Sequence, residues 1–113
     1  MTAQKFRKKP IEIEAIQWTG GNHRDVVDFA TRPSKSYPGA FTELFIELNT
    51  EAAIGLIGKS RLGDMLRKGC TAAVYVDANS EWLGIETGEW IIQDAKGFYP
   101  CKPDIFAATY DTL

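Results

Sequence analysis

The sequence predicts an α+β protein: a small, mostly antiparallel sheet with two short helices, in a single domain over residues 1–113. Three observations carry that expectation. Two β-prone runs, Thr71–Val76 and Glu81–Glu86, flank the polar turn Asp77–Ser80, the composition and spacing of a hairpin. A third apolar run, Trp90–Gln93, follows the turn residues Thr87-Gly88 and extends the hairpin into a meander. Helix signals are confined to short segments, so the helices must pack on the sheet to be stable.

The first strand is expected over Ile11–Trp18, where Ile11 and Ile13 alternate with Glu12 and Glu14 and so occupy opposite faces. Ile16 and Trp18 share the parity of the glutamates. Either a bulge lies near Ala15 or the second half of the strand is covered on both faces. Gly20-Gly21 ends it, and Asn22 opens a helix expected from His23 to Thr31, with Asp25 favoured by the macrodipole in the first turn. Val26, Val27, Phe29 and Ala30 form its apolar face, and Pro33 stops it by lacking a donor and restricting Arg32. After a loop over 33–39, Phe41–Leu48 reads as one strand with Thr42, Leu44, Ile46 and Leu48 facing the core. Residues 49–69 read as irregular or partly helical: Ala52–Ile57 is apolar but broken by glycine, and Arg61–Lys68 suits a turn or two of helix closed by Gly69. Beyond the meander, Asp94–Gly97 turns the chain into Phe98-Tyr99. Pro103 and Asp104 then suit the start of a terminal helix to Tyr110, whose Ile105, Phe106 and Tyr110 dock on the sheet.

Hydrophobic residues make up 44% of the 113 and charged residues 25%, the balance of a globular chain with one core. A net charge of −2 supplies no global field to attract nucleic acid or an anionic membrane. Residues 1–9 form a basic arm carrying Lys5, Arg7, Lys8 and Lys9 without an apolar stretch after them, which argues against a secretory signal. No apolar run reaches the roughly 20 residues of a membrane span, so a cytoplasmic protein is expected. Cys70 and Cys101, with His23 the single histidine, fall short of a structural zinc set and are expected as free thiols.

No constellation of catalytic or cofactor-binding residues emerges, and no catalytic residue, cofactor or metal is assigned. Gly58-Lys59-Ser60 resembles the end of a phosphate-binding loop, but Ala53 stands where that motif needs its first glycine. His23 with Asp25 and Asp28 has the makings of acid/base chemistry, although a surface position explains it better. Two features stand as candidate sites. One is a binding surface formed by Lys8, Lys9, Lys59, Arg61, Arg67 and Lys68 with Trp82 and Trp90, cations and aromatics suited to a protein partner or to nucleic acid; Trp82 and Trp90 are also expected to pair across neighbouring strands. The other is a polar pocket from Asp94, Tyr99, Lys102 and Asp104 near the C-terminal turns, the place for an active site if there is one.

The ends of the chain carry a resemblance. Lys8-Lys9-Pro10-Ile-Glu-Ile-Glu-Ala-Ile-Gln-Trp18 and Gly88-Glu-Trp-Ile-Ile-Gln-Asp-Ala-Lys-Gly97-Phe-Tyr-Pro-Cys-Lys-Pro-Asp-Ile-Phe106-Ala-Ala-Thr-Tyr110 resemble a group of small bacteriophage and prophage proteins. Its members begin with a lysine-rich Pro-then-Glu-Ala-x-Gln segment and end with Gly-Asp-Trp-Ile-Ile, Gly-Glu-Phe-Tyr-Pro and a Phe-x-x-Thr-Tyr helix. Here Glu89 replaces the usual Asp, Asp94 a usual Gly, and no acidic residue separates Gly97 from Phe98. The resemblance implies a phage accessory protein acting in the host cytoplasm and brings no catalytic residue with it. The expectation is therefore a non-enzymatic protein that binds a host macromolecule. A nucleic-acid or nucleotide-binding module and a small enzyme are the alternatives. A homodimer is expected as well, because an aromatic-rich sheet with few helices leaves its second face short of cover.

Overall fold

In the computed structural model, which describes residues 2–113, eight strands and four helices follow one another as β1 (Glu14–Gln17), α1 (His23–Phe29), β2 (Thr31–Pro33), β3 (Phe41–Glu43), β4 (Phe45–Glu47), α2 (Glu51–Ile57), α3 (Lys59–Arg67), β5 (Ala72–Val76), β6 (Glu81–Ile85), β7 (Trp90–Asp94), β8 (Gly97–Cys101) and α4 (Pro103–Thr109). The strands form three antiparallel sheets, ordered β1-β7-β8, β2-β3 and β4-β5-β6. The α+β architecture read from the sequence is present.

Residues 72–76 alternate between two cores because β5 is the central strand of its sheet. Ala72, Val74 and Val76 face a cluster with Trp18, Val26, Phe45, Ile85, Ile91 and Phe98. Ala73 faces a second cluster with Ile46, Leu48, Ala53, Ile57, Leu62 and Met65. One face of β4-β5-β6 thus packs on α1 and the β1-β7-β8 sheet, and the other on α2 and α3. Small residues on β5 allow both layers to come close.

Leu44 divides the run from Phe41 to Glu47 into two strands. Its N–H donates to the Ala30 carbonyl at 2.8 Å and its carbonyl accepts from Tyr75 N–H at 2.8 Å, so the chain leaves the β2 partner and joins β5 at this residue. Phe45 consequently turns inward and is 2% exposed, whereas Phe41 is 69% exposed. The helix expected to Thr31 ends at Phe29, since Thr31–Pro33 is needed to pair with Phe41–Glu43.

Three further expectations are corrected. The strand expected from Ile11 begins at Glu14, and Ile11 is 67% exposed. The register of β1 with β7 is unbroken from Glu14 to Gln17. Covering on both faces, and not a bulge, therefore explains the parity: Ile16 packs toward the first cluster, while Ala15 lies opposite the buried Ile92 on the other face. Second, β7 does not continue the β5-β6 meander. The Trp18 N–H donates to the Glu89 carbonyl at 2.9 Å and Gly88 N–H to the Trp18 carbonyl, which draws β7 between β1 and β8. Third, Ile105 does not dock and remains 55% exposed. Helix α4 is held instead by Phe106, stacked on Trp90 with ring centroids 4.1 Å apart and planes at 4°.

Residues 49–69, expected as irregular or partly helical, hold the helical pair α2-α3. Gly58 joins the two with φ +93°, a conformation other residues reach only at a cost. The pair, of which Arg61–Lys68 was expected as helix and Ala52–Ile57 was not, supplies the cover that the sheet was expected to lack.

Candidate functional site

Helix α3 lies close on β6 because Gly84 has no side chain. A Cβ there would sit 2.8 Å from Cys70 Sγ and 3.0 Å from Met65 Cγ, closer than packed atoms tolerate. This approach leaves a hollow of about 250 Å³ lined by Arg61, Asp64, Met65, Lys68, Cys70, Trp82, Leu83 and Gly84. Arg61 crosses from the helix to the strand, donating to the Trp82 carbonyl at 2.8 Å and lying 3.5 Å from a Glu81 oxygen. The Trp82 ring rests edge-on against Tyr75 with centroids 5.5 Å apart. Burial pushes the Cys70 thiol pKa up, and the Glu89 and Glu86 carboxylates push the same way against Lys102. The group is accordingly held as a thiol, the less nucleophilic form.

Of the residues assigned to a binding surface, the fold brings Arg61, Lys68 and Trp82 to this one hollow. Lys59 and Arg67 lie exposed on the same helix, with Arg67 paired to Asp64. Lys8 and Lys9 are exposed on the N-terminal arm. Trp90 belongs to the other sheet and stacks on Phe106. The expected Trp82–Trp90 cross-strand pair is replaced by two separate aromatic pairs, since β6 and β7 are not neighbours.

The polar set near the C-terminal turns also divides. Asp94 and Tyr99 line a hollow of about 310 Å³, together with Ala78 and Asn79 of the β5-β6 turn and Lys96, Phe98 and Pro100 of the β7-β8 hairpin. Asp94 Oδ1 accepts the Lys96 N–H at 2.8 Å and shapes the turn. Burial, followed by the neighbouring Tyr110 hydroxyl and the Asp94 carboxylate, raises the Tyr99 pKa to about 12. Such a phenol is a poor general base near neutrality. Lys102 lies apart from that hollow, with Nζ 3.0 Å from Glu86 Oε2 and 3.2 Å from Glu89 Oε2. Asp104 occupies the first turn of α4, where its charge suits the macrodipole.

Glu89 is the residue sequence reasoning missed. It is 4% exposed, the buried charged side chain among the described residues, and accepts the Glu86 N–H at 2.6 Å as well as Lys102. An acidic residue ahead of Trp90, in a segment otherwise occupied by turn and core residues, was the available signal. Both its partners hold it in place, so it ties the β6-β7 turn to the start of α4.

His23 faces Glu47, with Nδ1 2.8 Å from Oε2, and not Asp25 or Asp28 of its own helix, the latter lying 3.9 Å from Arg24. Gly58-Lys59-Ser60 lies between two helices, whereas a phosphate-binding loop follows a strand. Cys70 and Cys101 are free thiols. Among the described residues, no group of three or more His, Cys, Asp or Glu side chains is placed to hold a metal ion, and no helix is long and apolar enough to cross a membrane. No protein-family model, curated protein or solved structure matches this chain.

Proposed function

We propose that this chain is a phage accessory protein that binds a host protein in the host cytoplasm without catalysing a reaction, and that its contact surface is the hollow between α3 and β6. The convergence of Arg61 and Lys68 from α3 and its C-terminal end with Trp82 from β6 on one concavity carries this reading. Arginine and tryptophan are the side chains over-represented where partners contribute most binding energy. The same helical pair also exposes Ile54, Leu56 and Leu66, each more than half accessible. The polar residues that would serve chemistry elsewhere are engaged in turns and ion pairs: Asp94 with the Lys96 amide, Lys102 with Glu86 and Glu89. The resemblance of the two chain ends to phage and prophage proteins supports the origin.

The test is site-specific photo-cross-linking in host lysate, with the probe replacing Lys68 and, as a control, the exposed Phe41 of β3. The expected outcome is one dominant protein adduct from position 68 and none from 41, reduced about tenfold by Leu66→Asp. Equal labelling from both positions, or no adduct, overturns the assignment. Adducts to nucleic acid that vanish steeply with added salt establish the nucleic-acid alternative through Lys59, Arg61, Arg67 and Lys68.

A further inference from the structure

Strand β1 lies at the edge of its sheet, beside β7 alone. The ladder shows which of its backbone groups face outward. In antiparallel pairs, residues alternate between bonding one neighbour and the other. Trp18 bonds to Glu89, so Ile16 and Glu14, of the same parity, bond to β7. Two details agree. Ile91 pairs with Pro100 on β8, which has no N–H to give, so Ile91 bonds toward β1. Asp94 and Gly97 close the β7-β8 turn as a bonded pair, so it is the even residues of β7 that bond toward β8. Ala15 and Gln17 therefore direct their N–H and C=O to the free edge. The Gln17 carbonyl is occupied by Asn22 Nδ2 at 2.8 Å, while Ala15 has no backbone partner outside the strand ladder among the described residues.

Ahead of this edge runs the arm, residues 2–12, exposed throughout and outside any element. Phe6 and Ile11 are 89% and 67% exposed. The radius of gyration, 15.9 Å, exceeds the about 13 Å expected of a compact chain of this length, as a projecting arm requires. Alternating Ile11-Glu12-Ile13-Glu14 has the pattern of a strand without a partner, and an unpaired edge continuous with it is a template for pairing.

We propose that two copies of this chain exchange these arms about a two-fold axis at Ile11, each arm adding as an antiparallel strand to the free edge of the other copy's β1. Charge and shape select the register. With the axis at Ile13, Glu12 opposes Glu14; at Glu12 or Lys9, a charge opposes its own copy. Like charges directly opposite are destabilising. An axis at Pro10 keeps Lys8 opposite Glu12 but sets the apolar Phe6 on Glu14. The axis at Ile11 places Lys8 opposite Glu14 twice by symmetry, Phe6 opposite the half-buried Ile16, and Ile11 against itself. It also sets Arg7 opposite Ala15, whose free N–H and C=O it satisfies. Pro10 lies at an even position, where a missing N–H faces away from the new partner and nothing is lost.

Sedimentation equilibrium of the full chain at concentrations on the order of 100 μM, where mass action favours association, is the test. The expected mass is twice the 12.6 kDa of one chain. Ile11→Pro removes the central donor in a segment outside every element and should return the monomer, with a thermal melt matching that of the wild-type chain at dilutions where it too is monomeric. Lys8→Glu should raise the dimer dissociation constant about tenfold through the two symmetric pairs, and adding Glu14→Lys should restore it. A monomeric wild-type chain, or a dimer indifferent to Ile11→Pro, overturns the arm exchange. Failure of the double charge swap to rescue Lys8→Glu overturns the register.

Discussion

Gly84 shows how one absent Cβ positions the candidate surface. Its neighbours Cys70 and Met65 stand within 3.0 Å of where that atom would be. Gly84→Ala is expected to lower stability by about 1–3 kcal/mol, the usual cost of overpacking. Urea denaturation should show an earlier midpoint at unchanged slope; an unaltered midpoint would mean that α3 can lift off β6 without loss. In the sequence this glycine is simply one member of the β-prone run Glu81–Glu86. Only its pairing opposite Ala73, on the face covered by α3, gives it a role.

At the scale of elements, α4 is held by aromatic contact. Seven residues are too few for a helix to persist alone, and none of them is buried. The Phe106 ring lies flat on Trp90 and meets Tyr110 at 5.1 Å. Phe106→Ala is therefore expected to release the helix at a cost of about 1–2 kcal/mol, of which the aromatic pair is about 0.5–1.5. Hydrogen exchange offers a direct check: amides of Phe106 and Tyr110, bonded to the Lys102 and Phe106 carbonyls, should lose protection while those of β5 keep theirs. Protection that persists at both positions would show that the Lys102 ion pairs suffice to hold α4. The helical pair α2-α3 illustrates the opposite case. Its apolar residues Ala53, Ile57, Leu62 and Met65 are buried against β4-β5, yet Gly55 interrupts the helical pattern of Ala52–Ile57 in the sequence, where only Arg61–Lys68 reads as helix.

For the whole molecule, the resolved shifts share one sign. Cys70 and Cys101 are raised above an ordinary thiol value of 9.0, chiefly by burial. Tyr99 rises from 10.0 to about 12, and Lys102 is raised above 10.5 by its bonds to Glu86 and Glu89. The folded chain therefore holds these protons more tightly than the unfolded chain does. Their stabilisation is complete below each unfolded value and is lost as pH climbs through the folded one. Stability is expected to decline from about pH 9 upward, with Tyr99 ionising near 12. Denaturation midpoints across pH 7–11 and absorbance titration of tyrosinate, with Tyr99→Phe removing the late phase, test this. A midpoint that holds constant to pH 11 contradicts it.

By itself the sequence determined what depends on neighbours along the chain. The β5-β6 hairpin follows from alternation around Asp77–Ser80, the end of α3 from Gly69, and the start of α4 from Pro103. These are short-range signals, set by turn chemistry and by positions that need or forbid a backbone conformation. Tertiary structure decided which strands became neighbours. Strand β7 joins β1 because Trp18 bonds to Gly88 and Glu89 across seventy residues of chain, and Leu44 switches sheets because Ala30 and Tyr75 stand on its two sides. No local pattern encodes such bonds. The candidate surface has the same origin: Arg61, Lys68 and Trp82 were each visible as a cation or an aromatic, but the packing of α3 over Gly84 made them one site. The burial of Glu89 and the free edge of β1 were likewise decided by which surfaces the fold leaves covered and which it leaves open.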